Sequence, residues 1–290
     1  IGLRFYNFEN TPFDMDWIAD FTEIEDLEIE SWGEILNIEK LANFKNLKKL
    51  HLDFGLKMKG DLSFLSVVNP DLQVLYIRAA DKNPKVDLMP ITHFKKLKAL
   101  WVMYFEKNLD QAILQLPDLE YLRLRSISKY KDLDFIKHLT KLNSLSLEFC
   151  GLTDISAIAH LKNLTHLNLF RLLKIEQLDF LSELNHIEYI ELDVVSSVSQ
   201  FPILASLKKP CSVQIISCKN LIDYTNFAKT KSVMALLIEN APNTNIDEFL
   251  PILQNEHIKY LSIYCKNNSI NEQVKALIQE FGKQRFRDKP

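Results

Sequence analysis

Tyr76, Trp101 and Arg123 are separated by 25 and 22 residues, and Arg78, Met103 and Arg125 repeat that spacing two positions further on, with Tyr121 just ahead of them. Trp, Tyr and Arg are the side chains that carry binding energy where proteins meet, and Met is enriched there too. The chemistry this set offers is therefore recognition. A second set follows at intervals of 22 and 23: Glu148, Phe170 and Asp193, together with His166, Arg171, Tyr189 and Glu191. It mixes aromatic and acidic groups, so a partner would meet a positive zone and a negative one. Complementary potentials of that kind set specificity and association rate.

Side chains at such a spacing need an element that recurs with it. The stretch Leu142 to Leu164, LNSLSLEFCGLTDISAIAHLKNL, shows one. Leu142, Leu145 and Leu147 make an L-x-x-L-x-L pattern, whose period-2 part suits a short strand with one buried face. Cys150 and Gly151 turn the chain. Asp154 then precedes Ile155, Ile158, Leu161 and Leu164, apolar residues three apart that suit a short helical return. Such a coil cannot bury its apolar face alone, so copies must stack. With Ile, Val or a lapse allowed, the pattern restarts at Ile24, Leu47, Leu72, Leu97, Leu119, Leu142, Leu164, Ile187, Pro210, Val233 and Ile258. Intervals of 22 to 25 fall inside the 20–29 range of one repeat class.

On these residues the chain resembles the leucine-rich repeat family, in its 22-residue class. That class includes the repeat regulatory subunit of type one protein phosphatase and the bacterial internalins. The resemblance covers roughly residues 20 to 265, is best in GLTDISAIAHLKNL, and implies an α/β solenoid or horseshoe. A parallel sheet would line its concave face and short helices its convex face. It specifies fold and is nearly silent on function. The family's usual Asn at the ninth position is missing: that column reads Trp32, Gly55, Ala80, Phe105, Ile127, Cys150, Leu172, Val195, Cys218, Ala241 and Lys266. The turns must then find hydrogen bonds elsewhere.

Further expectations concern the ends and the lapses. Ile1 and Leu3 read as a remnant strand, and Thr11–Asp20 as the helix of a partial coil. Residues 1–23 would thus be an N-terminal partial repeat, 24–265 about eleven repeats, and 266–290 a capping helix with a basic tail, all in one domain. Pro210 cannot donate to a sheet, so the ladder should break there. Leu133–Leu139, Leu178–Leu184 and Ile246–Leu253 read as helical returns. Ile270–Phe281 reads as a longer capping helix with Val274, Leu277, Ile278 and Phe281 on one stripe. The tail Lys283–Lys289 reads as frayed.

Composition narrows the classes. Hydrophobic residues make up 47% of 290, ample for a core, and only six are Gly, too few for a Gly-rich phosphate loop. A net charge of -3 argues against nucleic acid as partner, and no apolar run approaches the ~20 residues that cross a bilayer. The start at Ile1 reads as a trimmed or mature form. Cys150 and Cys218 are three repeats apart, about 14 Å by strand spacing, beyond the ~7 Å a disulfide tolerates. Free thiols and a cytoplasmic setting are expected.

Catalysis finds little material. His93, His138, His160, His186 and His257 lie in returns and do not converge, and His51 and His166 are about 24 Å apart by strand spacing. Cys211 reads as the concave thiol nearest His166, about 10 Å away. C-x-x-C, H-E-x-x-H and G-x-S-x-G are absent. The acidic start, Glu9 to Glu34 with a single Arg4, lacks the spacing and turn Gly of a Ca²⁺ loop. Neither metal nor cofactor is expected. Positions 3, 5 and 7 of each repeat should face the concave side and hold both recognition sets, the first enlarged by the basic loops Lys57–Asp61 and Lys82–Lys85. The expected function is non-catalytic binding of a protein partner by a monomer, regulating or neutralising it as a phosphatase regulator, toxin neutraliser or bacterial effector does. The alternative of another class is a receptor for a small ligand or glycan.

Overall fold

The computed structural model describes residues 1–54, 61–79, 86–243 and 245–288. The two basic loops expected beside the first recognition set lie outside the described residues, Asp61 excepted. The chain forms two compact units, Ile1–Lys129 and Tyr130–Pro290.

The first unit holds β1 (Gly2–Asn7), β2 (Phe13–Asp14), β3 (Asp26–Ser31), β4 (Ile35–Leu36), β5 (Lys49–Asp53), β6 (Val74–Arg78), β7 (Ala99–Met103) and β8 (Tyr121–Arg125). β1, β3, β5, β6, β7 and β8 pair in that order, every pair parallel and each in register with the next. β2 and β4 make a small parallel pair of their own. The remnant strand expected at Ile1 and Leu3 is thus a full strand. The second unit holds β9 (Ser144–Glu148), β10 (His166–Phe170), β11 (Tyr189–Asp193), β12 (Cys211–Ile216), β13 (Val233–Ala241) and β14 (Tyr260–Cys265), again parallel and in chain order.

Hydrophobic burial fixes this register. The fourth and sixth residues of every repeat, such as Leu75 and Ile77 or Leu145 and Leu147, are at most 5% exposed. A slip of one residue would turn that whole set to solvent. A repeat of 22 to 25 residues leaves few for the return, so most returns are 3₁₀ turns, as at Asp134–Ile136 and Asp179–Glu183. In several, an Asp opens the return and accepts the backbone N–H two residues on, as Asp154 does from Ser156 at 2.8 Å and Asp223 from Thr225 at 2.9 Å. The Ser156 N–H holds the Asp154 carboxyl below the usual range, and the Thr225 hydroxyl, then its N–H, does the same for Asp223.

The absence of a ninth-position Asn is resolved one residue earlier. Tyr104, Ser126, Phe149, Arg171, Val194, Ser217 and Asn240 are the eighth residues of their repeats, and all have left-handed backbone, φ between 52° and 69°. That conformation costs a non-Gly residue about 1–2 kcal/mol. It aims the N–H at the neighbouring coil: Phe149 donates to the Phe170 carbonyl at 2.9 Å, Arg171 to Asp193 at 2.8 Å and Val194 to Ile216 at 2.9 Å. A buried carbonyl left without a donor costs about 1–3 kcal/mol, so strain and satisfaction roughly balance. In the second unit two ninth-position thiols help. Cys150 donates to the Glu148 carbonyl at 3.3 Å, and Cys218 to those of Leu192 and Ile216 at 3.4 Å. Burial pushes the Cys218 thiol up to about 11. All four cysteines are buried.

Two expectations need correction. Cys211 is not on the outer face of the sheet; it lies in the core at the start of β12, because the strand begins one residue after Pro210 with an inward side chain. The ladder does falter at Pro210: the β12–β13 register shifts between Cys211 and Ser212, and the Cys211 N–H goes to Ser232. It then resumes through β14. The tail is not frayed over its described part. The helix Asn268–Glu280 packs Val274 and Ile278 inward, a left-handed Gly282 turns the chain, and Gln284 then pairs with the open edge of β14. Its carbonyl accepts from Leu261 at 2.7 Å and its N–H donates to Lys259 at 2.9 Å. Phe286 plugs the core beneath, 6% exposed. An edge strand with orphaned backbone groups and an open core makes docking more favourable than solvation.

Two outcomes are expected in urea unfolding. Ser217→Gly relieves about 1–2 kcal/mol of left-handed strain at a half-buried turn and gives up the hydroxyl that accepts from Asn240 Nδ2 at 2.9 Å, worth about 1 kcal/mol, so stability changes by no more than about 1 kcal/mol. Phe286→Ala lowers it by about 3 kcal/mol, whereas a frayed tail would leave the midpoint unchanged.

Candidate interaction face

The core uses the fourth and sixth residues of each strand, so the third, fifth and seventh are left for the outer face of the sheet. Register then sorts them into rows. In the first unit the fifth-position row reads Arg4, Glu28, His51, Tyr76, Trp101 and Arg123, each opposite the next. Contacts follow the row. Arg4 Nε lies 3.0 Å from Glu28, His51 Nδ1 3.4 Å from the same carboxylate, and the His51 and Tyr76 rings have centroids 3.7 Å apart. Tyr76 and Trp101 meet edge to face at 6.1 Å, a geometry that aromatic quadrupoles favour.

The seventh-position row sets Glu30, Asp53, Arg78, Met103 and Arg125 side by side. Asp53 is buried and paired with the Arg78 guanidinium. The Tyr76 hydroxyl donates to the Met103 sulfur at 3.0 Å, and Met103 is only 6% exposed. Met103 therefore supports Tyr76 and offers little surface. In the third-position row Lys49 reaches Asp26 at 3.6 Å, then come the short Val74 and Ala99, then the exposed Tyr121. Two short side chains between long ones open a groove of about 440 Å³, with Val74 and Ala99 on its floor and Tyr76, Trp101 and Tyr121 around them.

Burial sets the protonation here. It lowers the His51 pKa despite the pull of Glu28 and Asp53, which favours the neutral imidazole against the Tyr76 ring. Burial, then the charges of Asp53 and Glu28, raises that of Glu30. Burial likewise raises Tyr76, which keeps its phenol proton. Among the described residues Glu28, Glu30 and His51 are the one group whose donor atoms could converge on a metal ion. Glu28 is already met by Arg4, and we assign no metal there.

The second unit carries the other set. Glu148 is 6% exposed and accepts the Ser146 hydroxyl at 3.1 Å, so it too is largely covered. Phe170 is half-buried and meets Phe149 edge to face at 4.9 Å, with the Arg171 guanidinium 5.2 Å from the Phe149 ring centroid. The Tyr189 hydroxyl donates to Glu191, and His166 faces the Tyr189 ring at 6.0 Å. Burial, with the negative charges of Glu191 and Glu239, raises the Asp193 pKa.

Each recognition set is thus brought together within its own unit. Sequence reasoning missed the role of His51 and its carboxylates as the continuation of the Tyr76–Trp101 row; reading the fifth-position column as a line of contacts would have found it. It also missed Phe149, which no pattern of apolar spacing marks, because its exposure follows from the left-handed turn at φ 53°.

No family model matches the chain, and no curated protein matches it. Solved structures do. An internalin (InlF) from Listeria monocytogenes superposes with a TM-score of 0.61 at 20% identity, over 88% of this chain and 71% of that one. A leucine-rich repeat protein of Leptospira interrogans gives 0.52 at 18%, over 96% and 81%. The plant peptide hormone receptor RGFR1, solved in complex with RGF2, gives 0.50 at 16%, over 87% and 50%. At these identities the likeness concerns fold. Parallel strands in register, a 22-to-25-residue period and these neighbours agree: the chain has the leucine-rich repeat fold, an α/β solenoid of short strands and short helical returns.

Proposed function

We propose that this chain is a non-catalytic interaction module that binds a protein partner through the outer face of its sheet. Trp101 and Arg123 form the centre of the contact. The observation that supports the reading is the row of fifth-position side chains in the first unit, which ends in edge-to-face aromatics beside Arg123 and the exposed Tyr121. No packing demand puts Trp at an outer-face position. Half-buried rings held by their neighbours lose little freedom on binding, which is how aromatic anchors gain affinity. The acidic and aromatic set of the second unit, with Phe170, Glu191 and Asp193, supplies the complementary zone. The partner is a protein whose activity is regulated or neutralised by being covered. The chain acts without metal, cofactor or nucleic acid. The TM-score neighbours include a receptor solved with a peptide hormone, which is compatible with recognition of polypeptide by this fold.

A receptor for a small ligand is the second reading, favoured by one feature. The groove of about 440 Å³ over Val74 and Ala99 falls inside the 300–1,000 Å³ range of small-molecule sites. Its floor is open sheet, which suits a protruding side chain of a partner better than an enclosed ligand.

The test is affinity capture from lysate of the source cell, read by mass spectrometry. Wild type is compared with a Tyr76→Ala, Trp101→Ala, Arg123→Glu variant that still melts cooperatively. A protein held by wild type and lost by the variant is the expected result, and Trp101→Ala alone weakens that complex by about 30-fold or more, the effect of one hot spot of about 2 kcal/mol. A partner retained by the triple variant would rule out this face.

A further inference from the structure

The strands of the second unit carry charge differently from those of the first. In the first unit, acids on the outer face are matched across neighbouring strands: Glu28 by Arg4, Asp26 by Lys49 and Asp53 by Arg78. β9 to β14 contain no Lys or Arg at all, yet Glu148, Glu191, Asp193 and Glu239 stand at outward positions. Glu148 is covered. Asp193 and Glu239 enter no ion pair among the described residues. Arg171, the cation that bears on Asp193, lies with its guanidinium 5.2 Å from the Phe149 ring centroid. Burial, then the charges of Glu191 and Glu239, raises the Asp193 pKa, so carboxylates two strands apart share one field.

Register sets these acids into an alternating row. The seventh positions read Phe170, Asp193, Ile216, Glu239 and Tyr264 on five successive strands, each opposite the next. Phe170 and Ile216 are half-buried, and Tyr264 is 48% exposed. Such a row steps about 4.8 Å per strand, which puts Asp193 and Glu239 about 9.6 Å apart. Ligands of one Ca²⁺ or Mg²⁺ ion stand within about 5 Å of each other. The pair is too wide for a metal, and the residue between them is apolar.

Charge and step together select the occupant. An α-helix returns a side chain to one stripe every seven residues, about 10.5 Å, with residue i+3 or i+4 midway. Its stripe steps by about 5 Å, close to the step of the row. A β-strand returns to one face only every ~6.6 Å. Polyproline II returns every ~9.3 Å, with no side chain midway to meet Ile216. Lys and Arg lay their stems along apolar surface while their heads reach a charge. Taking the outer face of the sheet as the surface that meets the partner, we propose that this row seats an amphipathic helix of a protein partner, laid across β10 to β14. The contact stripe of that helix alternates Lys or Arg with apolar side chains. Its cations meet Asp193 and Glu239, and its apolar side chains meet Phe170, Ile216 and Tyr264. Glu191, at the fifth position of β11, adds to the field. The seat uses neither Trp101 nor Arg123.

The probe is a capped helical peptide on an Ala and Gln background, with Lys seven residues apart and Leu midway on the same stripe. One control carries Glu in place of Lys, and a second keeps the composition but moves Lys to the side opposite Leu. Each is titrated into the intact chain and followed by amide NMR. The Lys peptide should bind and shift resonances of β10 to β14. The double variant Asp193→Asn, Glu239→Gln should weaken it at least tenfold and melt no lower than wild type, since it removes charges that repel each other. Ile216→Ser should weaken it at least threefold. Trp101→Ala should leave it unchanged, so the titration reads this seat whatever the capture experiment returns. No binding, equal affinity of either control peptide, or unchanged affinity in the double variant would overturn the proposal. A partner captured through Trp101 that the double variant holds as tightly as wild type would also remove the helix seat, and would leave the Trp101 face in place.

Discussion

Each inner strand of either unit hands half of its backbone N–H and C=O groups to the coil before it and half to the coil after. Nothing in a single coil can satisfy those groups or cover its one apolar face, so stability is a property of neighbours. The rest of the structure answers to that constraint. Position 2 and 3 amides reach back one coil, as Lys98 and Ala99 do to Gln73. The chain leaves β7, β9, β10, β11 and β12 through a left-handed residue whose N–H reaches forward one coil. Where the constraint is met by a makeshift, as at Pro210, the cost is a local register shift and the ladder continues.

Register also organises the surface. Because like positions face each other, a charge on one coil meets whatever occupies the same position on the next. Glu25 and Lys48, Asp26 and Lys49, Asp53 and Arg78, and Lys98 and Glu120 are all such pairs. Most are exposed and add little stability each. Their effect is on the face itself: paired charges flank the stretch where Tyr76 and Trp101 form a row of rings. The same logic makes the groove, since two successive short residues in one row become a depression.

The repeat register was legible in the sequence because it rests on burial, which has a spacing. Leu142, Leu145 and Leu147 predict a strand and a core face at once, and the placement of Tyr76, Trp101 and Arg123 on one face follows by counting. The turns were not legible. Tyr104, Ser126, Phe149, Arg171, Val194, Ser217 and Asn240 share a backbone conformation and no chemistry, since a hydrogen bond offered by the next coil decides it rather than intrinsic preference. Val194, β-branched, is the last residue one would assign there. Depth within the face was hidden for a similar reason. Met103 and Glu148 occupy outward positions yet are covered by Tyr76 and Ser146, which depends on side-chain reach across a coil. The docked tail was missed because its basic composition reads as solvated, while what holds it is one Phe and the edge of β14.

The coil-to-coil ladder is therefore the claim on which both faces depend, and amide hydrogen exchange tests it most directly. If the eighth-position residues carry the ladder forward, the amides of Tyr104, Phe149, Arg171, Val194 and Ser217 exchange as slowly as those in the middle of the adjoining strands. Exchange at those five sites as fast as in exposed turns, with the strands still protected, would contradict the account.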